Sequence, residues 1–158
     1  MKSVVLWRAA ILTLALLAVA PVGAQPSLPF ADARDFASGH GFDETVRRLQ
    51  ASVGANGMLL LSTASASQGA ANSGFAIPGN AVLFVFRNDF ARRLLAENVA
   101  AGFEAPLRLY VTERPGAGVI VEWRRPSGLF AAYGSAPAVA IGTELDAILE
   151  KIVADALR

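Results

Sequence analysis

No cysteine occurs anywhere in the 158 residues. This removes a disulfide framework, a thiolate metal site, a cysteine nucleophile and lipid attachment at a cysteine after the first apolar run. Histidine is almost absent as well: His40 is alone, set between Gly39 and Gly41 with no serine or threonine nucleophile adjacent in a pattern that a catalytic triad would use. The carboxylates are spread along helix faces and turns instead of clustering, so neither a metal nor a cofactor is expected. The glycine-rich stretches at 39–41 and 116–118 lack both the Lys-Ser/Thr of a phosphate loop and the spacing of a dinucleotide fingerprint. Excess positive charge is lacking too: Lys+Arg number 14 against 13 Asp+Glu, which leaves no basic footprint for nucleic acid. Beyond the first segment no run approaches the roughly 20 apolar residues that cross a bilayer.

What is present begins with a cationic start, Lys2 and Arg8, followed by an uncharged apolar run from Ala9 to Ala20 and the small residues Val22-Gly23-Ala24. This pattern predicts a secretory signal peptide over residues 1–24, cut after Ala24, and hence a periplasmic or secreted protein. Its apolar core of about 12 residues is too short to serve as a membrane anchor. Cleavage removes two cations and leaves twelve Lys+Arg against thirteen Asp+Glu. A mature chain of about 134 residues can bury roughly two thirds of its unfolded surface in one core without staples. One domain over 33–158 is expected, preceded by an extended leader, 25–32, that carries Pro26 and Pro29.

The organising stretch is 106–123. Leu107, Leu109 and Val111 alternate with Arg108, Tyr110 and Thr112, a Pro-Gly turn follows, and Val119, Val121 and Trp123 alternate with Ile120, Glu122 and Arg124. Two alternating runs around such a break predict a hairpin. A loop with an odd number of residues puts the two apolar sets on one face, whereas an even loop sets Leu109 against Glu122 or Arg124, so burial selects the odd loop. Arg108, Tyr110, Ile120, Glu122 and Arg124 then share the opposite face as the candidate binding or interface residues, with Glu122 placed to separate Arg108 from Arg124. No catalytic residue is assigned.

Around this hairpin, 33–38 predicts a weak first strand. Phe42, Val46, Leu49 and Val53 stripe a helix over 42–54, with Gly41 at its N-cap and Asp43–Arg47 and Glu44–Arg48 pairs on its wet side. Asn56-Gly57 ends it. Met58-Leu-Leu-Leu61 lacks alternation, which predicts a strand covered on both sides. The small residues of 62–73 fit a short helix lying flat on the sheet or on a neighbouring subunit, or else an irregular loop that admits a ligand. Ala81-Val-Leu-Phe-Val-Phe86 is the most β-prone run and the expected central strand. Asn88-Asp89 caps a helix over 89–98 with Phe90 and Leu94 inward, and a third helix over 143–157 carries Leu145, Leu149, Ile152 and Val153. The expected fold is a two-layer α+β domain, its helices packed on one face of a largely antiparallel or mixed sheet.

Several pieces lie in a familiar order: Phe42-Asp43-Glu44-Thr45-x-x-x-Leu49, Gly57 opening a strand, the Ala-rich stretch to Gly74, Phe86-x-Asn88, and Leu94-Leu95. Ala105-Pro106-Leu107-Arg108-Leu109-Tyr110-Val111 and Val119-x-Val121 before Pro126 continue it. Over about residues 42–126 the chain resembles the domain of unknown function 302 family. Asp89 stands where that family usually has proline and Ala105 where it has leucine, and the Asp-His often found before its Ala-rich stretch is replaced here by Ser and Ala. A role for that histidine is therefore not carried over. The resemblance implies a compact α+β domain, often dimeric, with no assigned activity.

Two readings of function follow. The first is a non-catalytic exported protein that binds a small apolar molecule or an envelope protein partner; the second is an enzyme of unassigned reaction using Glu122 or Glu104. The missing acid, base and nucleophile set favours the first. Val82, Phe84 and Phe86 leave one side of the strand at 81–86 in need of cover beyond the helices. Only 62–74 and the Ala-rich stretch after Gly128 remain to supply it, so a second copy in a two-fold dimer is expected there.

Overall fold

The computed structural model describes residues 28–158; the signal peptide expected over 1–24 and the first leader residues, 25–27, lie outside the described residues. The elements in order are β1 (Ala33–Ser38), α1 (Phe42–Ala55), β2 (Leu59–Ala64), α2 (Ala66–Asn72), β3 (Asn80–Phe86) and α3 (Asn88–Glu97). After a 3₁₀ segment at Val99–Glu104 come β4 (Leu107–Arg114), β5 (Gly118–Arg124), α4 (Pro126–Ala131) and α5 (Ala136–Leu157). The strands form one antiparallel five-stranded sheet in the order β1-β5-β4-β3-β2. Helices pack against it, giving the two-layer α+β architecture that the periodicity predicts.

The β4–β5 hairpin closes through Pro115, Gly116 and Ala117, with Arg114 paired to Gly118. The loop is therefore odd. Gly116 and Gly118 both take positive φ, 78° and 77°, a backbone that only glycine adopts without strain. Val111 then faces Val121, and Leu107, Leu109, Val119 and Trp123 are buried on the same side. They meet Leu49 and Val53 of α1, Leu94 of α3, and Leu145, Leu149 and Ile152 of α5 in one core. Two polar links, one of them buried, join α1 to α5. The Ser52 hydroxyl donates to the Ile152 carbonyl at 2.7 Å, and Arg48 donates to the Ala156 and Arg158 carbonyls, satisfying acceptors that the end of α5 leaves free.

Five expectations are corrected, and a sixth, the short helix in the small-residue stretch, is borne out over Ala66–Asn72 only. The central strand is β4, not β3, because β5 pairs with β1 and so places the hairpin in the middle of the sheet; an apolar run reports cover on two faces, not rank among strands. β2 is covered on neither side: it is an edge strand, its ladder broken at Leu60/Ser62, with Leu59 and Leu61 56% and 54% exposed. The small-residue segment supplies the end of β2 and then α2, which buries no residue and is tied by Ser65 and Ser67 hydroxyls to the Asn80 carbonyl. The last helix starts at Ala136, seven residues before Thr143, because Ser135 caps it through the Ala138 N–H and Pro137 falls in the first turn, where its missing N–H costs nothing. The Asn88-Asp89 cap does not form. Arg87 holds the N-cap position and its guanidinium pairs with Asp89 at 2.8 Å. On α1, Glu44 takes both Arg47 and Arg48, and Asp43 makes no ion pair among the described residues.

Candidate functional site

Strand alternation sends Arg108, Tyr110, Thr112 and Arg114 of β4, and Ile120, Glu122 and Arg124 of β5, to the face away from the helices, with Tyr110 opposite Glu122 and Thr112 opposite Ile120. The five residues singled out from the sequence thus do share one face. Their partners differ from the expected ones. Glu122 is 1% exposed, and its Oε2 accepts from Arg114 at 2.5 Å, across the turn, instead of standing between the two arginines. Arg124 pairs with Asp32 at 3.0 Å and lies over the Phe30 ring at 4.3 Å. Arg108 is exposed and makes no ion pair among the described residues. The Tyr110 hydroxyl accepts from the Asn80 amide at 2.5 Å.

The cover over this part of the face comes from the leader, whose sequence marks it only as extended. The Asp32 carbonyl accepts from the Arg125 N–H at 2.9 Å while its carboxylate holds Arg124, so the leader is clasped to the end of β5. Gly128 makes the clasp fit, since a Cβ there would run into the Asp32 side chain. The signal in the sequence was Phe30 and Asp32 beside proline, an aromatic and an acid without periodicity. The Ala-rich stretch after Gly128 lies instead on the helix side, where Ala138 is part of the core.

Two cavities open between leader and sheet. One, about 260 Å³, is walled by Leu28, Phe30, Val82, Leu107 and Leu129 and carries the charged groups of Glu104, Arg108, Glu122 and Arg124. The other, about 400 Å³, is lined by Ile77, Asn80, Thr112, Glu113 and Arg114. Leu28, Tyr110 and Glu122 belong to both; Ile120 is buried but lines neither.

Within these walls polar pairing is incomplete. Glu122 Oε1 and Thr112 Oγ1 are buried without any hydrogen-bond partner, a condition that buried polar atoms rarely keep unless something outside the protein meets them. Glu104, the other carboxylate considered for acid–base work, lines the smaller cavity but is engaged by the Tyr133 hydroxyl at 2.9 Å. That bond holds the Tyr133 proton and pushes its pKa above the usual phenol value. Glu113 accepts from the Gly79 N–H at 3.0 Å.

His40 stands apart from this face. Its backbone N–H donates to Ser38 Oγ, which is 2.7 Å from Thr45 Oγ1, so two hydroxyls are near its backbone, yet its ring Nε2 is buried with no partner. Among the described residues no three His, Asp or Glu side chains converge as a metal ion would require.

No curated protein is similar to the chain. Among solved structures, the crystal structure of an uncharacterized conserved protein DUF302 from Bacillus stearothermophilus aligns with a TM-score of 0.72 at 21% identity, over 82% of this chain and 100% of that one. At that identity the likeness establishes the shared fold. The family model for the domain of unknown function DUF302 matches residues 35–156, from within β1 to the last turn of α5. Motif order, sheet topology and this match agree, and the chain belongs to the DUF302 family.

Proposed function

We propose that this DUF302 chain is an exported, non-catalytic binding domain that holds a small molecule between its leader and the second face of its sheet. Export rests on the cationic start and apolar run of residues 1–24, and an intact mass beginning at Gln25 in protein recovered from the periplasm or medium tests it. A mass that retains Met1 contradicts it. Binding rests chiefly on one observation, that Glu122 lines the cavity and one oxygen of its carboxylate is buried with no donor to meet it. An apolar recess with a few convergent polar groups is the usual form of a small-molecule site. Native mass spectrometry of gently purified protein is expected to show a small organic adduct that is lost in Glu122→Gln. Bare protein alone, from wild type and variant, contradicts the reading.

A second reading, self-association, draws on a different part of the same face. Leu59 of β2 pairs with Phe86, and Val82 and Phe84 continue the strip, half-buried and next to the open edge. A two-fold contact here would need about 1,000 Å² in total. Phe84→Glu would then convert a dimer into a folded monomer by light scattering, and a wild type that is monomeric at micromolar concentration rules the dimer out. The enzyme alternative has in its favour that Glu104 and Glu122 line one cavity. A hydrolase screen with a hit abolished by Glu122→Gln would establish it over simple binding.

A further inference from the structure

The smaller cavity carries enough chemistry to specify a class of ligand. Four charged groups line it, Glu104, Glu122, Arg108 and Arg124, beside the Tyr110 phenol, so its walls are close to neutral overall. Inside that balance three of the groups are already engaged: Arg124 by Asp32, Glu104 by the Tyr133 hydroxyl, and Glu122 through Oε2 by Arg114. What remains is one acceptor, one cation and the Trp123 indole N–H, which lines the same cavity and is buried without a partner. Glu122 Oε1 is buried and meets no donor, and Arg108 has no anionic partner among the described residues. A ligand that completes the site must bring a donor, best a cationic one, and an anion on the same small framework. Besides Tyr110 and Trp123, the rest of the wall is apolar: Leu28, Phe30, Val82, Leu107 and Leu129.

Resting on the binding reading above, we infer that the ligand is a small zwitterion of the amino-acid type with an apolar side chain. Its ammonium meets Glu122 Oε1, its carboxylate meets Arg108, and its side chain lies against the leader. A metal ion meets only the acceptor, and a simple anion can meet Arg108 and the Trp123 indole N–H but leaves Glu122 Oε1 without a donor. A purely apolar molecule satisfies neither and leaves the buried oxygen without a donor, which is unfavourable whatever fills the space. The volume, about 260 Å³, falls just below the usual range of small-molecule sites, roughly 300–1,000 Å³, and admits a small metabolite and not a lipid.

The test is calorimetric titration of the purified protein with three probes that share a ring: L-phenylalanine, 2-phenylethylamine, which lacks the carboxylate, and phenylacetate, which lacks the amine. L-Phenylalanine is expected to bind most tightly. Glu122→Gln is expected to weaken L-phenylalanine and 2-phenylethylamine by about tenfold, the scale of one charge-assisted hydrogen bond, and to leave phenylacetate unchanged. Arg108→Met is expected to do the reverse, weakening L-phenylalanine and phenylacetate and sparing 2-phenylethylamine. Because Glu122 is buried and paired, its variant needs a folded circular-dichroism spectrum; should it not fold, exposed Arg108 and the ranking of the three probes decide. Equal affinity for all three, or no heat from any at about 10 mM together with an adduct in native mass spectrometry, overturns the ligand class while binding at the cavity stands. No heat and no adduct overturns both.

Discussion

Gly142→Ala in α5 sets two opposing effects against each other at one atom. In a helix interior glycine is about 1 kcal/mol less favourable than alanine, so propensity alone predicts a gain. The structure predicts a loss. A Cβ on Gly142 would stand 2.6 Å from both the Cα and the N of Ser127 and 2.8 Å from the Pro126 carbonyl carbon, against roughly 3.5–4.0 Å for an unstrained contact. The obstacle is the backbone of α4, so no side-chain rotation relieves it. Moving α4 away stretches the bonds from the Ser127 N–H and hydroxyl to Asp146, 3.1 and 2.5 Å, and lifts buried Leu129 and Phe130. Overpacking of this kind costs about 1–3 kcal/mol and each weakened hydrogen bond about 1 kcal/mol. The net expectation is a loss of about 2 kcal/mol, or roughly 6 °C in Tm for a domain of this size. Thermal denaturation by circular dichroism measures it, with Gly54→Ala as the control, because nothing lies within 4 Å of a Cβ built there in α1. The control should hold or gain stability. If Gly142→Ala melts at or above the wild type, the close α4–α5 contact is refuted.

Leu149→Asp puts a carboxylate among Leu145, Ile152 and Val153, all buried with it in the core. The cost is several kcal/mol against a typical total of about 5–15, so the variant is expected to be largely unfolded, and an unchanged melting temperature would contradict the docking of α5. Arg93 of α3 bonds Glu144 of α5 at 2.6 and 2.9 Å and lowers its pKa below the ordinary 4.5, chiefly through those hydrogen bonds. A carboxylate whose pKa is depressed on folding stabilises the protein fully above its unfolded value and loses that contribution as pH falls through the folded one. The difference in Tm between wild type and Glu144→Gln, small because the pair is exposed, should therefore close below about pH 4.5. A difference that stays constant from pH 7 to pH 3 would contradict the pairing.

Much of this fold could be read before any coordinates, and the reason lies in which residues carried a period. Leu107, Leu109 and Val111 against Val119, Val121 and Trp123 left one acceptable hairpin parity, and the structure has it. The stripe at Leu145, Leu149 and Ile152 likewise located the core face of the last helix. Its true start was hidden because alanines at 136, 138 and 140 carry no amphipathic signal and Pro137 looks like a stop, although a first-turn proline is permitted. Met58-Leu-Leu-Leu61 misled for a related reason: an unbroken apolar run marks a buried strand only when the chain has something left to cover it. The leader was least legible, since Leu28, Phe30 and Asp32 act through single contacts to Arg124 and the second face. For the same reason the five candidate residues could be placed on one face, but not the partners that leave Glu122 half satisfied and Arg108 free of an ion pair among the described residues.

Function at this face turns on what occupies the space beside Glu122. A crystal structure of the protein, purified without denaturation or dialysis steps that strip ligands, measures that directly. The expected result is electron density for a small organic molecule in the cavity walled by Leu28, Phe30 and Leu129, with one polar atom within hydrogen-bond distance of Glu122 Oε1 and another within reach of Arg108. Ordered water alone at Glu122 Oε1, in protein equilibrated with the probes above at millimolar concentration, would contradict it.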